Sequence, residues 1–308
     1  MKRALIILLC LVMLTGCAPA ETAGEGYSFT DDTGAVVTVP ESPETVAVLL
    51  SSLADLWLTA GGSVDITVGE AVERGFANDA VILVDDGAGK TINLETLIAA
   101  EPDLVLYSCD LSGQLSCADT LRDAGIPAAG FRVESFEDYL RVLKICTDIL
   151  DTPERYEQYG TRLQAEIDAM TAAARSQPQQ PDILFVRAGS SAKYTKAKTA
   201  DNHFVCGMLQ ALGTFNIAEK APILLDGLST EEILLSDPDF ILFTTMGDEA
   251  AGQAYMESLL SDPVWQTLTA VKNGRVYQLP KELFQYKPGA RWGEAYAYLI
   301  QLIYGDIL

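Results

Sequence analysis

Four cations crowd one short segment of an otherwise acidic chain, Arg187-Ala-Gly-Ser-Ser-Ala-Lys193-Tyr194-Thr-Lys196-Ala-Lys198. The whole sequence carries 21 basic residues against 43 acidic ones, a formal net charge of −22, so positive charge collected in one place is the chemistry most out of character with the rest. A guanidinium such as Arg187 grips a carboxylate or catecholate oxygen in a fork, while lysines supply point charge. A second segment, Phe284-Gln-Tyr286-Lys287-Pro-Gly-Ala-Arg291-Trp292, adds two more cations among aromatic rings. Together the two segments suit a planar or chelated anion, held by charge and by stacking on Tyr194, Phe284 and Tyr286. The plainer readings are a solubilising loop for the first and the packing of a last helix, which claims Trp292, for the second.

Other chemistries are poorly provided for. The chain has a single histidine, His203, which removes HExxH metalloproteases, multi-histidine metal sites and most acid/base dyads. Beside Phe204 it reads as a satisfied, half-buried side chain. Gly87-Ala-Gly-Lys-Thr91 suggests a phosphate loop, but the GxxxxGK[ST] spacing needs glycine at position 84, where Val84 stands, and Asp85 and Asp86 would oppose phosphate. No GxSxG elbow occurs, and acidic pairs such as Glu231-Glu232 read as solvated faces or helix-start charges. The acidic surface repels phosphate backbones, so nucleic acid is not an expected partner.

The elements that must position these residues alternate between strands and helices. Tyr27 to Pro40 holds two β-rich runs around Asp31-Asp-Thr-Gly34, a hairpin signal. Val46–Leu50 is a short apolar run of the kind buried on both faces, followed by Ser51-Ser52 as caps for a helix that Gly61-Gly62 stops. Strands are expected at 66–69 and 81–84, and Asn93 caps the helix after them. Leu94 to Leu106 and Thr230 to Leu242 then align without gaps, each a helix, a Pro-Asp turn and an apolar strand. Two similar α/β lobes with mainly parallel sheets are the simplest account. Between them Phe136–Leu150 is an amphipathic helix, and Pro153 starts another whose apolar residues Tyr156, Tyr159, Leu163, Ile167, Met170 and Ala174 keep helical spacing to Arg175, roughly 35 Å. Strand Ile183–Val186 leads straight into the Arg187–Lys198 segment, at the end of a strand where open α/β sheets bind ligands. Gly289–Tyr304 is the final helix.

At the N-terminus Lys2 and Arg3 precede the apolar run Ala4–Leu14, too short to span a bilayer, which ends in Leu14-Thr-Gly-Cys17. This pattern is that of a lipoprotein signal, with Cys17 as the lipid-bearing residue. Cleavage removes two basic residues and no acidic ones, leaving 19 against 43. The expected organisation is a signal at 1–16, a flexible tether at 17–26, a first lobe at 27–150, an inter-lobe helix at 151–178 and a second lobe with the terminal helix at 179–308. Among the remaining cysteines, Cys109 and Cys117 are near enough in sequence to pair in an oxidising compartment. Cys146 and Cys206 fall in helical patterns, where buried free thiols are ordinary.

Taken in order, Asp31-Asp-Thr-Gly with Val-Thr-Val-Pro40, Asn93-Leu-Glu with Glu101-Pro-Asp-Leu-Val105, Asp201-Asn-His-Phe-Val-Cys-Gly-Met-Leu-Gln-Ala-Leu-Gly213 and Ala270-Val-Lys-Asn-Gly-Arg-Val-Tyr277 resemble the substrate-binding lipoproteins of ABC importers for iron complexes, a family that includes haem and cobalamin binders. The resemblance runs from Phe29 to the C-terminus. It departs at Ile92, where family members often carry proline, so the cleft rim near Lys90 differs. It implies two α/β lobes on a rigid helix and a monomer. A ligand would lie in the cleft, with no enzymatic step and no cofactor, and the permease and its ATPase would be the partners. The implied ligand residues are Ser51, Ser52, Lys90, Tyr107 and Asp110 in the first lobe, and Arg187, Lys193, Tyr194, Lys196, Lys198, Thr245, Met246, Phe284, Tyr286, Lys287 and Arg291 in the second. Asp110 or Asp119 and Asp248 or Glu249 are the implied permease contacts. The favoured ligand is a ferric siderophore, with haem or a corrinoid behind it; a chelatase-like enzyme and a receptor for bare metal ions are the competing readings.

Overall fold

A computed structural model describes residues 26–87 and 89–307; the signal, Cys17 and most of the expected tether lie outside the described residues. The expected hairpin forms from β1 (Tyr27–Thr30) and β2 (Val36–Val39), paired antiparallel with Thr30 opposite Val36. Asp31 makes its turn, Oδ1 accepting from the Thr33 and Ala35 N–H groups, while Oδ2 accepts from Gly130 N–H and ties the hairpin to the first sheet.

That sheet contains β3 (Val46–Val48), β4 (Ile66–Thr67), β5 (Ile82–Leu83), β6 (Leu104–Ser108) and β7 (Ala128–Phe131), in the order β5-β4-β3-β6-β7 and parallel throughout. The second contains β8 (Asp182–Ala188), β9 (Lys196–Ala197), β10 (Phe215–Asn216), β11 (Phe240–Thr245) and β12 (Val276–Gln278). Its parallel order is β10-β8-β11-β12, with β9 antiparallel on the far end of the β8 edge that β10 begins. The molecule is therefore two α/β lobes, each a mainly parallel sheet with helices against it.

The two aligned segments hold equivalent places. Helices Leu94–Ala99 and Thr230–Ser236 precede β6 and β11, and Asp103 and Asp239 stand just before those strands. Asp103 Oδ2 accepts from the N–H groups of Glu44 and Thr45, at the approach to β3, and Asp239 Oδ2 accepts from Asp182 N–H, at the start of β8. The repeated aspartate thus clips the neighbouring strand into register in both lobes.

Helix Phe136–Ile149 opens with a capping box between Ser135 and Asp138. The next helix is not uniform as its periodicity suggests: α-helical turns at Pro153–Tyr156 and Arg162–Arg175 flank a π-helical turn, Glu157–Thr161. A π turn frees one backbone carbonyl, and Tyr139 Oη donates to Tyr159 O at 3.1 Å. Leu163, Ile167, Met170 and Ala174 are buried as one stripe, continuous with the apolar side of the last helix, Trp292–Tyr304. The lobes meet at Trp292, whose ring lies 5.8 Å from Phe136 of the first lobe and 5.7 Å from Phe204 of the second. All four described cysteines are free, so Cys109 and Cys117 do not pair. Among the described residues no helix is long and apolar enough to cross a membrane.

Candidate functional site

Strand alternation sets the direction of Arg187. Ile183 and Phe185 of β8 face the core shared by both lobes, so Arg187 projects on that same face one step past Phe185. The chain then turns back through a short loop closed by Thr195, whose buried Oγ1 accepts from Gly189 N–H and donates to Gly189 O. This closure places Lys196 opposite Arg187 in the β8–β9 register. Lys198 follows on the same side, its N–H donating to Phe185 O. Arg187, Lys196 and Lys198 are half-buried, and among the described residues none has a carboxylate within 4.0 Å. Burial lowers the pKa values of Arg187 and Lys198, and the neighbouring Arg187 and Lys196 charges lower Lys198 further. Three cations drawn partly out of water without a counter-charge are costly, and an incoming anion would relieve that cost.

His203 marks where this group meets the rest of the cleft. Its ring stacks between Phe185, at 4.7 Å, and Phe204, at 5.2 Å, and its Nδ1 accepts from Val205 N–H as the N-cap of helix Phe204–Ala211. Burial, with Lys287, Arg187 and Lys198 nearby, pushes its pKa down to about 3, so the ring stays neutral. Lys287 Nζ lies 4.7 Å over the Phe204 ring and pairs across the lobes with Glu134 Oε2 at 2.9 Å.

On the first lobe, Arg74 just past helix Gly69–Glu73 donates from Nη1 to Ser51 Oγ at 2.8 Å and Ser52 Oγ at 3.3 Å, and Ser51 Oγ donates to Glu70 Oε2 at 2.6 Å. The Arg74 guanidinium covers the Tyr286 ring of the second lobe at 4.0 Å. A cavity of about 380 Å³ opens here between Arg74, Asp55 and Phe76 on one side and Tyr286, Lys287 and Arg291 on the other. Burial raises the Asp55 carboxyl to about 6 despite Arg74 and Arg291 nearby. A larger hollow of about 530 Å³, lined by Gln177, Asp239 and Arg275, lies at the opposite end of the second sheet, where strands begin, and shares no residue with the cleft.

A family model described as periplasmic binding protein matches residues 46–283. The chain belongs to the periplasmic binding protein family. It is 20% identical over 303 residues to the Fe(3+)-citrate-binding protein YfmC of Bacillus subtilis, covering 95% of this chain and 93% of that one. Its fold is similar to that of Staphylococcus aureus SirA complexed with staphyloferrin B, with a TM-score of 0.71 at 17% identity over 90% of this chain and 98% of SirA. The heme-binding protein RhuT of Roseiflexus sp. RS-1 gives a TM-score of 0.69 at 21% identity over 86% and 99%.

Within this periplasmic binding protein the expected ligand residues divide. Arg187, Lys198 and Lys287 come together around His203, Lys196 lies opposite Arg187, and Met246 stands exposed after β11 beside buried Thr245. Lys193 and Tyr194 form an exposed pair, the ammonium 5.4 Å from the ring, and Lys90 is also exposed. Other expectations need correction. Phe284 is fully buried with its ring 5.5 Å from Tyr298, so it has no free face. Tyr107 is buried too, its ring over Gly130 of the adjacent strand, where a Cβ would come within 2.7 Å of it. Ser51 and Ser52 do not cap their helix, whose N-cap is Leu50 without a side-chain bond; they hold Arg74 instead. Arg291 is forked onto Glu294 at 2.7 Å.

The four acids expected to dock also have internal partners. Asp110 pairs with Arg132, Asp119 with Arg122, Asp248 caps helix Glu249–Leu260, and Glu249 accepts from Gln278. Sequence reasoning missed Arg74, Asp55 and Glu134, whose roles arise from contacts between residues distant in sequence, both within the first lobe and across to the second. It also missed Gln114, buried where its amide donates to Leu49 O and Gly89 O and accepts from Ser108 N–H, binding the ends of β3 and β6 to the loop between. No cluster of three or more His, Cys, Asp or Glu side chains placed to hold a metal ion occurs among the described residues.

Proposed function

We propose that this protein captures an anionic ferric chelate of the siderophore type between its lobes and hands it, without chemistry, to an ABC importer permease served by an ATPase. The observation that carries the reading is the group Arg187, Lys196 and Lys198, without counter-charges at the cleft end of β8 on a chain with 43 acidic residues. A neutral sugar or peptide gives no reason for that segregation, and a bare cation is repelled by it. The family and the relative that binds ferric citrate support the same direction. The chain's one histidine is locked in a cap between two rings, so it is not free to serve as an axial ligand to haem. The N-terminal pattern supports an extracytoplasmic protein held to the membrane by lipid on Cys17, while the family resemblance favours a monomer, with lobes at 27–150 and 179–308 around an inter-lobe helix.

Fluorescence titration against ferric citrate, ferric catecholate and hydroxycarboxylate siderophores, haem, cobalamin and bare metal ions tests the ligand class. Saturable binding of a negatively charged ferric chelate is expected. Binding of cobalamin or bare ions alone would refute it. For the anchor, Cys17→Ser is expected to release the protein from the membrane fraction or leave it unprocessed, and normal processing with membrane retention would rule the lipid out.

A further inference from the structure

The ion pair between Lys287 and Glu134 is a contact between lobes, and its ammonium has two possible employers. On one side stands Glu134 Oε2 at 2.9 Å, just after β7. On the other lies the cation group: Lys287 sits 4.7 Å over Phe204 and lies with Arg187 and Lys198 near buried His203. The backbone that carries Lys287 is held by its neighbour, for Tyr286 is stacked under Arg74 at 4.0 Å. Lys287 can therefore change partner by turning its own side chain, with no need for the loop to move. We propose that Glu134 is an internal competitor for the ligand and sets the least negative charge a ligand must carry to be held.

This inference rests on the reading of the ligand as an anionic chelate. An anion that settles against Arg187, Lys196 and Lys198 attracts the Lys287 ammonium as well, and each step of Lys287 toward it weakens the bond to Glu134. The cost of that lost pair is subtracted from the affinity of each ligand that draws Lys287 away from Glu134. A chelate with several negative charges offsets it through added contacts, whereas a neutral chelate leaves Lys287 with Glu134 and gains nothing from it. The pair is partly exposed, with side chains 24% and 44% accessible, so its worth is below about 1 kcal/mol, equivalent to a fewfold change in affinity.

The test is a double-mutant cycle read by titration with ferric citrate, together with hydrogen exchange on the unliganded protein. Glu134→Gln is expected to tighten ferric citrate binding by about two- to fivefold. Lys287→Met should weaken it, and Glu134→Gln added to Lys287→Met should gain nothing. Exchange at the loops around 134 and 287 should rise equally in either single variant. Unchanged or weaker binding in Glu134→Gln overturns the competition, and so does an equal gain in the Lys287→Met background, which would mark a general charge effect. Unchanged exchange in both single variants removes the pair itself. Failure of every variant and of the wild type to bind any ferric chelate, with the exchange pattern as expected, would instead overturn the ligand reading, and the competition with it.

Discussion

The cleft ends of the two sheets handle charge in opposite ways. On the first lobe almost every polar group near the strand ends has an internal partner: Asp85 takes the N–H groups of Gly69 and Gly89, Asp110 pairs with Arg132, Arg74 serves Ser51 and Ser52, and buried Gln114 joins two strand ends. On the second lobe Arg187, Lys196 and Lys198 reach the same level without carboxylate partners among the described residues. Yet the lobes share a helix-turn-strand unit down to the aspartate that clips the next strand. The scaffold is duplicated and the charge is not. The first lobe is the self-satisfied wall of the cleft, and the second carries the cations that the proposed ligand would neutralise.

That contrast assumes that the lobes form one body, and Trp292 is where the assumption is most easily broken. It is 1% exposed and touches an aromatic ring from each lobe. Truncating a buried tryptophan to alanine removes its burial and leaves a cavity, so Trp292→Ala should lower the unfolding free energy by about 3–5 kcal/mol. Denaturant unfolding followed by near-UV and far-UV signals measures it. A loss below about 1 kcal/mol would mean the lobes do not depend on this junction.

Affinity tests the contrast directly. Losing a charge-assisted contact that is partly removed from water costs about 1.5–3 kcal/mol, so Arg187→Ala should weaken binding of an anionic ferric chelate roughly tenfold or more. Alanine at Lys193, Lys196 and Lys198 together should do at least as much, while Lys90→Ala on the first lobe should change little because Lys90 is exposed. Equal effects at Arg187 and Lys90 in one titration series would erase the asymmetry.

Local signals made much of this legible beforehand. The hairpin, the repeated unit and the stripe Leu163, Ile167, Met170 and Ala174 are encoded within a few residues of themselves, and the Arg187–Lys198 segment stands out because cations are scarce. Arg74 and Glu134 carry no such signal: Glu134 acquires its role from Lys287 on the other lobe, and Arg74 from Ser51 and Ser52, distant in sequence on its own lobe, together with Tyr286 on the other. Phe284 misled because its neighbours Tyr286 and Lys287 face the cleft, whereas the one-turn helix Lys281–Phe284 points it into the core. For Tyr107 a clue existed, since it lies within a strand that is buried at every position. The π turn at 157–161 leaves the period of the apolar residues nearly intact, so periodicity could not reveal it.

The repeated aspartates offer a finer comparison. Asp103 accepts two backbone N–H groups and Asp239 only one. The carboxyl of Asp182 has its pKa raised by burial and by nearby Asp239, so removing Asp239 also relieves a like-charge contact. Asp103→Ala should therefore destabilise by about 1.5 kcal/mol and Asp239→Ala by less than about 1 kcal/mol. The reverse order in thermal unfolding would show that the two units are not energetically equivalent in the way their bonds suggest.

An effect confined to a narrow pH window is expected at Asp55, which faces Arg74 and Arg291 across the inter-lobe cavity. Its folded-state pKa of about 6 lies above the ordinary aspartate value of 3.8, so the folded form holds the proton more tightly than the unfolded one. Its contribution to stability therefore falls as pH rises from about 4 to about 6 and is constant above that. A pKa difference of one is worth about 1.4 kcal/mol, so the whole change over this window is at most about 3 kcal/mol. Asp55→Asn should flatten this part of the profile; identical slopes for wild type and variant between pH 4 and 6 would clear Asp55 of the role.

The least change is expected in the distance between the lobes. Between Pro153 and Arg175 helical turns follow one another without a proline after Pro153, and the one departure from the α-helical ladder, around Gly160, is bridged by the bond from Tyr139 Oη to Tyr159 O. Bending there would break that bond and pull Trp292 from Phe136 or Phe204, so a ligand that gains only a few surface contacts has too little differential affinity to drive it. Partner exchange at Lys287 needs a side-chain rotation alone, which fits a cleft of nearly fixed width. Small-angle scattering with and without ferric citrate should give the same radius of gyration within error. Tyr139→Phe, which leaves the Tyr159 carbonyl without its donor, is the variant expected to show a measurable difference first. A large contraction of the wild-type protein on binding would mean that the π turn works as a hinge and that the two walls of the cleft meet only around ligand.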